Sequence, residues 1–114
     1  MHIGQYVWTA TSNRFGWSSL LGRSAGSANV PEGSVPARVA DLGSLPPAFI
    51  GVGAIDLFVQ EDVEYAQRLM EAGVPTELVV VPGGYHGFDF IAAEAPLSKR
   101  FREAWMASLK RAFA

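Results

Sequence analysis

An almost unbroken apolar run of strand length, residues 48–55, restricts the fold of this chain more than any other feature. Continuous apolarity, in place of alternation, is typical of a parallel strand that is covered on both faces. A helix is predicted from about Gln60 to Ala72, because acidic residues open it and Gly73 ends it. A second apolar strand is predicted over residues 76–82. This order predicts the α/β class, with a right-handed βαβ unit whose two strands are parallel neighbours.

The rest of the chain divides into a regular tail and an irregular beginning. Apolar residues mostly four apart over residues 97–113 predict an amphipathic helix, which completes a βαβα unit over residues 48–114. Residues 1–47, called the lead-in below, are rich in Ser, Gly, Pro and Trp, and only residues 18–21 favour a short helix. We therefore expect one domain, in which the tryptophans of the lead-in pack on the βαβα unit or on contacts that this chain does not contain.

Composition excludes several functional classes. The formal net charge is −2 and basic residues are scattered until the last helix, so nucleic acid is not an expected partner. The chain has no cysteine, and its two histidines, His2 and His86, are far apart, so neither a metal site nor another cofactor is expected. The sequence shows neither a signal peptide nor an apolar run of about 20 residues that could span a membrane. A cytoplasmic protein is the default expectation.

Two polar residues follow the predicted strands at the points where the strands end. Asp56 comes directly after the first strand, and His86 lies in a glycine-rich loop after the second. Reactive groups collect beyond the carboxyl ends of parallel strands, so the two side chains can meet at one edge of the sheet. An aspartate beside a histidine fixes the imidazole tautomer and prepares a general base. The alternative is an ordinary loop aspartate and a solvent-exposed histidine, and the residues alone leave both interpretations open.

Longer stretches around these two residues resemble one enzyme family. Residues 45–58, with Gly-Ala-Ile-Asp at 53–56, are similar to the seventh strand and acid turn of the hormone-sensitive-lipase-like branch of the α/β-hydrolases. Residues 73–88, ending in His-Gly-Phe, resemble the eighth strand and histidine loop of that branch. Residues 8–22 resemble the segment that leads from its sixth strand toward its seventh. The separation between acid and base, 86 − 56 = 30 residues, accommodates one helix and one strand, as in that family.

The resemblance implies a partial α/β-hydrolase fold and a carboxylic-ester hydrolase, an esterase or lipase, with a Ser-His-Asp triad. Asp56 would orient His86, and His86 would take the proton of a serine hydroxyl and return it to the leaving alcohol of a small-molecule ester. In the family, the oxyanion motif and the Gly-x-Ser-x-Gly nucleophile elbow lie upstream in a longer chain. The chain is therefore expected to be a C-terminal fragment that is inactive alone.

One short motif, Gly-Arg-Ser-Ala-Gly at residues 22–26, matches the elbow pattern around Ser24. An elbow needs a strand before the serine and a helix after it, because the strained turn between them exposes the hydroxyl. Residues 17–21 are too short and helix-like for that strand, and residues 27–31 cannot start and sustain a helix. Between Ser24 and the acid there are 56 − 24 = 32 residues, too few for the strands that normally intervene. Ser24 is disfavoured, and no credible nucleophile is predicted.

The residues after the acid depart from the family at one position. Many members have an aspartate where this chain has Gln60. Because Glu61 keeps an acidic residue at the neighbouring position, at most a small difference in the properties of the acid turn is expected. Glu61, Asp62 and Glu64 are interpreted as a solvated first helical turn that matches the helix dipole.

Two hypotheses from different classes remain. In the first, the chain derives from an esterase and keeps its Asp–His pair. In the second, it is a non-catalytic binding or oligomerisation module built on the same βαβ unit, and a minor third is a miniature esterase that uses Ser24 or a serine of a partner chain. For a fragment without the first six strands, bare strand edges predict a homo-oligomer, such as a domain-swapped or edge-paired dimer. Trp8, Trp17 and bare edges favour the first hypothesis, since a module selected to stand alone would not present them without a partner surface.

Overall fold

The structure is a computed structural model that describes residues 2–114. The helices and strands follow in the order α1 (Ala10–Leu21), a 3-10 turn (Pro36–Arg38), β1 (Ala48–Gly53), α2 (Val59–Glu71), β2 (Thr76–Val81), α3 (Phe88–Ile91) and α4 (Pro96–Ala112). The predicted α/β class and the βαβα order are confirmed. Strand β1 ends two residues earlier than predicted, because residues 54 and 55 already form a turn.

The two strands form a parallel sheet in register. Ala48 lies opposite Thr76 at one end, and Gly53 lies opposite Val81 at the other. Helix α2 connects the strands and packs on both of them. Because both strands end at the same level of the sheet, the loops that follow them open on the same edge.

Strand β1 is covered on both faces, as its unbroken apolarity predicts. On one face, Ala48 and Ile50 pack against a buried cluster formed by Leu42, Leu69 of α2 and Val74. On the other face, α4 approaches so closely that a Cβ on Gly51 would lie 2.5 Å from the ring of Phe101. Successive side chains of a strand point to opposite faces, so the two packing partners belong to different sides of the sheet.

The lead-in contains a longer helix than predicted. Helix α1 spans 12 residues, where the sequence favoured only residues 18–21. The Oγ1 of Thr9 accepts a hydrogen bond from the backbone N–H of Ser12 at the N-terminus, and Gly22 ends the helix in the left-handed region at φ 64°. None of its residues is fully buried, and the helix has no apolar stripe, so hydrophobic periodicity could not predict its full length.

The lead-in is attached to the βαβα unit at a few points. Leu42 enters the core cluster, and the backbone N–H of Gly4 donates to the carbonyl of Ile55 at 3.0 Å. The Arg68 guanidinium of α2 donates to the carbonyls of Ala37, at 2.6 Å, and Val39. Over residues 2–114, no helix is long and apolar enough to cross a membrane.

Candidate active site

The loops that follow β1 and β2 are joined to each other by backbone contacts. The N–H of Ile55 donates to the carbonyl of Gly84 at 3.0 Å, and the N–H of Ala54 donates to that of Val81 at 2.8 Å. Gly53 and Gly84 touch so closely that a Cβ on Gly53 would lie 2.1 Å from the Gly84 oxygen. The approach of the two loops therefore depends on the missing side chain at position 53.

Asp56 stands at the first of these loops with its carboxylate already oriented. Its side chain is almost fully buried, and its backbone N–H donates to the carbonyl of Gly53 at 3.1 Å. The carboxylate oxygen Oδ1 accepts the backbone N–H of Phe58 at 3.0 Å. This bond fixes the rotation of the carboxylate and leaves Oδ2 for a partner in the second loop.

His86 provides that partner. Its Nδ1 lies 3.0 Å from Oδ2 of Asp56, so the predicted meeting of acid and imidazole is observed. A carboxylate accepts hydrogen bonds, and this arrangement therefore favours the tautomer with the proton on Nδ1 and a lone pair on Nε2. The His86 side chain is 37% exposed, so the ring remains accessible while the carboxylate behind it is buried.

Two aromatic rings hold the imidazole. The Trp8 ring lies 6.0 Å from the His86 ring at an interplanar angle of 32°, and the Phe58 ring lies 5.6 Å away, edge to face. The indole N–H of Trp8 donates to Oδ1 of Asn13 at 3.3 Å, which fixes this tryptophan against α1. The contact of Trp8 with the βαβα unit is thus a contact with the histidine itself. Phe58 was not predicted as a site residue, although its position two residues after the acid was a usable signal.

The acidic first turn of α2 is exposed at Glu61 and Glu64, as interpreted from the sequence, but Asp62 is half-buried. Glu61 and Asp62 line a cavity of about 500 Å³ that also reaches His86. Burial, and to a smaller extent the negative charges of Glu61 and Asp56, raise the pKa of Asp62 to about 6 despite the lowering effect of His86. Burial also raises the pKa of Glu61, as does the charge of Asp56 to a smaller extent. Of the three acidic residues, only Glu64 lies outside the lining of the cavity.

Comparison with known proteins assigns the family. A family model described as alpha/beta hydrolase fold matches residues 2–90. The chain belongs to the α/β-hydrolase family. The carboxylesterase NlhH of Mycobacterium tuberculosis is 40% identical over 73 residues, which are 64% of this chain and 23% of that protein. The esterase LipI of the same species is 29% identical over 82 residues, covering 72% of this chain and 26% of LipI.

Solved structures of esterases have the same fold as this α/β-hydrolase chain. The esterase LipW from Mycobacterium marinum superposes with a TM-score of 0.83 at 38% identity, over 92% of this chain and 32% of LipW. A bacterial heroin esterase superposes with a TM-score of 0.77 at 31% identity, over 92% of this chain and 34% of that enzyme. The chain thus spans about a quarter of the curated relatives and a third of these structures. The resemblance to hormone-sensitive-lipase-like esterases and the partial α/β-hydrolase fold are confirmed.

Ser24 does not lie on a strand–turn–helix elbow of the kind that α/β-hydrolases use. Helix α1 precedes it and turn residues 25 and 26 follow it. Its carbonyl accepts the backbone N–H of Ser27 at 3.2 Å and the Ser27 hydroxyl at 2.6 Å, and the residue is exposed. That Ser24 is not the nucleophile stays a prediction, and its local structure agrees with it.

The site of this α/β-hydrolase chain offers no ligand set for a metal ion. Within residues 2–114, no group of three or more His, Cys, Asp or Glu side chains is arranged to hold one. The chemistry that the site can support is proton transfer at Nε2 of His86, assisted by the buried carboxylate of Asp56.

Proposed function

We propose that this chain supplies the acid, Asp56, and the general base, His86, of a carboxylic-ester hydrolase of the Ser-His-Asp type. The observation that carries the proposal is the 3.0 Å hydrogen bond between His86 Nδ1 and Asp56 Oδ2 across the two loops. The esterase relatives support the same class of reaction. The substrate is a small-molecule carboxylic ester.

The proposed direction of proton transfer follows from the tautomer of His86 that the hydrogen bond to Asp56 favours. With its proton on Nδ1, His86 accepts the proton of a serine hydroxyl at Nε2 while the serine oxygen attacks the ester carbonyl. The buried Asp56 carboxylate stabilises the imidazolium that forms. Nε2 then delivers the proton to the departing alcohol, and the same cycle with water releases the acid product.

The proposal includes that Ser24 is not the nucleophile and that the isolated chain has no esterase activity. The test is hydrolysis of a short-chain chromogenic ester by the purified chain, by Ser24→Ala and by His86→Ala. All three rates are expected to equal the buffer background. Activity that disappears in both variants would assign the nucleophile to Ser24 and overturn this part of the proposal.

The Asp–His pair is tested without turnover. Nitrogen-15 NMR of the imidazole is expected to show the Nδ1–H tautomer of neutral His86 in the unmodified chain. In Asp56→Asn the population should move toward Nε2–H, whereas the control Asp89→Asn, on α3, should leave it unchanged. A dominant Nε2–H tautomer in the unmodified chain would contradict the proposed role of Asp56.

We also propose that the chain forms a homo-oligomer through strand edges. Among residues 2–114 the sheet has two strands, so each strand pairs on one side only. Unpaired edges are templates for a strand of another chain. Light scattering at micromolar concentration is expected to give at least the mass of a dimer, and a clean monomer would refute this proposal.

A further inference from the structure

The cavity beside His86 has the size and the position of a substrate subsite. It lies between α1 and the first turn of α2 and has a volume of about 500 Å³, within the range of small-molecule sites. Trp8, Trp17 and Phe58 contribute aromatic surface to its lining, and Leu20 adds an aliphatic side chain. Because His86 also lines it, a ligand in this cavity lies next to the imidazole.

The charge of the cavity is negative and is not compensated. Glu61 and Asp62 line it, and the only basic side chain in its lining is His86. Neither carboxylate forms an ion pair with a cationic side chain in the part of the chain that the structure describes. Desolvation is the main cause of the raised pKa of both groups, and the negative charge of Asp56 raises both in the same direction.

A second cavity shares the same two carboxylates and has an arginine in its lining. Arg38 and Tyr65 line it together with Glu61 and Asp62. The Arg38 guanidinium donates to the carbonyl of Ser27 at 2.6 Å, so it is engaged with the lead-in backbone and not with either carboxylate. The negative charge on the His86 side therefore remains available to a ligand.

We propose that this cavity binds a positively charged ammonium group of the ester substrate, with Glu61 and Asp62 as counter-charges and the aromatic rings as its walls. Aromatic faces attract quaternary ammonium groups through the ring quadrupole, and a partly desolvated carboxylate adds a direct charge interaction. The inference rests on the proposed function, because it is the ester next to His86 that makes the cavity a substrate subsite.

The experiment measures binding, so that an inactive chain does not mask the result. Acetylcholine and its uncharged isostere 3,3-dimethylbutyl acetate are titrated into the purified chain at neutral pH, and the indole N–H signals of the tryptophans are followed by NMR. The cation is expected to bind roughly tenfold more tightly and to shift the signals of Trp8 and Trp17. Equal affinity for both esters, or no saturable shift with acetylcholine up to millimolar concentrations, would overturn the proposal.

Variants separate a ligand role from a structural one. The double variant Glu61→Gln/Asp62→Asn is expected to reduce the preference for the cation to about twofold or less, with binding of the neutral ester unchanged. Glu64→Gln, an exposed acid on the same helix, should keep the full preference. A double variant that retains the preference would refute the subsite even if its folding stability changes. The histidine tautomer is measured separately, so a negative result for the ammonium subsite would leave the proposed Asp–His pair standing.

Discussion

The two parts of this chain are held together by different forces. The βαβα unit is stabilised by apolar packing: Ala66 and Leu69 of α2 are buried, and Leu69 belongs to the cluster against which Ala48 and Ile50 of β1 pack. The lead-in has a helix, α1, with no buried residue, and it depends on a few hydrogen bonds and ring contacts. The unit alone places Asp56 and His86, whereas the lead-in supplies Trp8 and one wall of the cavity. The residues proposed to transfer the proton thus belong to the βαβα unit, whereas the lead-in contributes to the cavity proposed to select the substrate.

The largest expected effect comes from a methyl group placed where the two loops touch. In Gly53→Ala the new Cβ would lie 2.1 Å from the backbone oxygen of Gly84, which cannot move away without disturbing the hydrogen bond that it accepts from the N–H of Ile55. We expect the free energy of unfolding to fall by about 3 kcal/mol or more. Chemical denaturation measures this loss, and the Nδ1–H signature of His86 should disappear even where the variant folds.

The matched control carries the same substitution in the lead-in. In Gly16→Ala, within α1, the new methyl group would make an ordinary contact with the Trp8 ring at 3.6 Å. Alanine is the better helix former, so the variant should gain about 0.5–1 kcal/mol. If both variants lose stability equally, the proposed difference between the two regions is wrong.

The contrast also explains how much the sequence could predict. Asp56 and His86 follow strands whose apolarity is continuous, and parallel pairing brings the ends of such strands together, so their proximity could be predicted from the pattern. Their catalytic roles came from the family resemblance, because the residues alone left both interpretations open. The fold-back of Trp8 onto His86 leaves no periodic signal, because it depends on a side chain that bonds to Asn13 and on a helix without an apolar stripe. The cavity could not be predicted for the same reason.

A smaller effect is expected where the lead-in is fastened to α2. Arg68→Met keeps the aliphatic stem but removes the guanidinium that donates to Ala37 and Val39. Because these hydrogen bonds have a charged donor, the free energy of unfolding should fall by about 1–2 kcal/mol. Hydrogen exchange should increase over residues 22–42 while β1 and β2 stay protected.

As a control, Arg111→Met removes only an exposed ion pair with Glu77 and should lower the free energy of unfolding by less than about 0.5 kcal/mol. Uniformly faster exchange throughout the chain would mean that the two parts unfold as one.

The smallest effect depends on pH and arises at the boundary between the two parts. The pKa of Asp62 is raised to about 6 in the folded chain, against about 3.9 for an unfolded aspartate. The folded state therefore binds the Asp62 proton more tightly than the unfolded state does. Below about pH 4 both states are protonated and the group has no effect on stability. As the pH rises from about 4 to 6, ionisation of this carboxylate lowers the free energy of unfolding. Above about pH 6 the full loss of stability is present.

Asp62→Asn removes this penalty and should stabilise the chain at neutral pH. Because the side chain is only partly buried and solvent screens its charge, the expected gain is about 1 kcal/mol above pH 6 and near zero at pH 4. Thermal unfolding across this range measures the difference, with Glu64→Gln as a control that should show no such dependence. A gain of equal size at both pH values would attribute the effect to packing. A gain confined to the higher pH would mean that this carboxylate is retained at a cost to stability, as expected of a residue that meets a charged ligand.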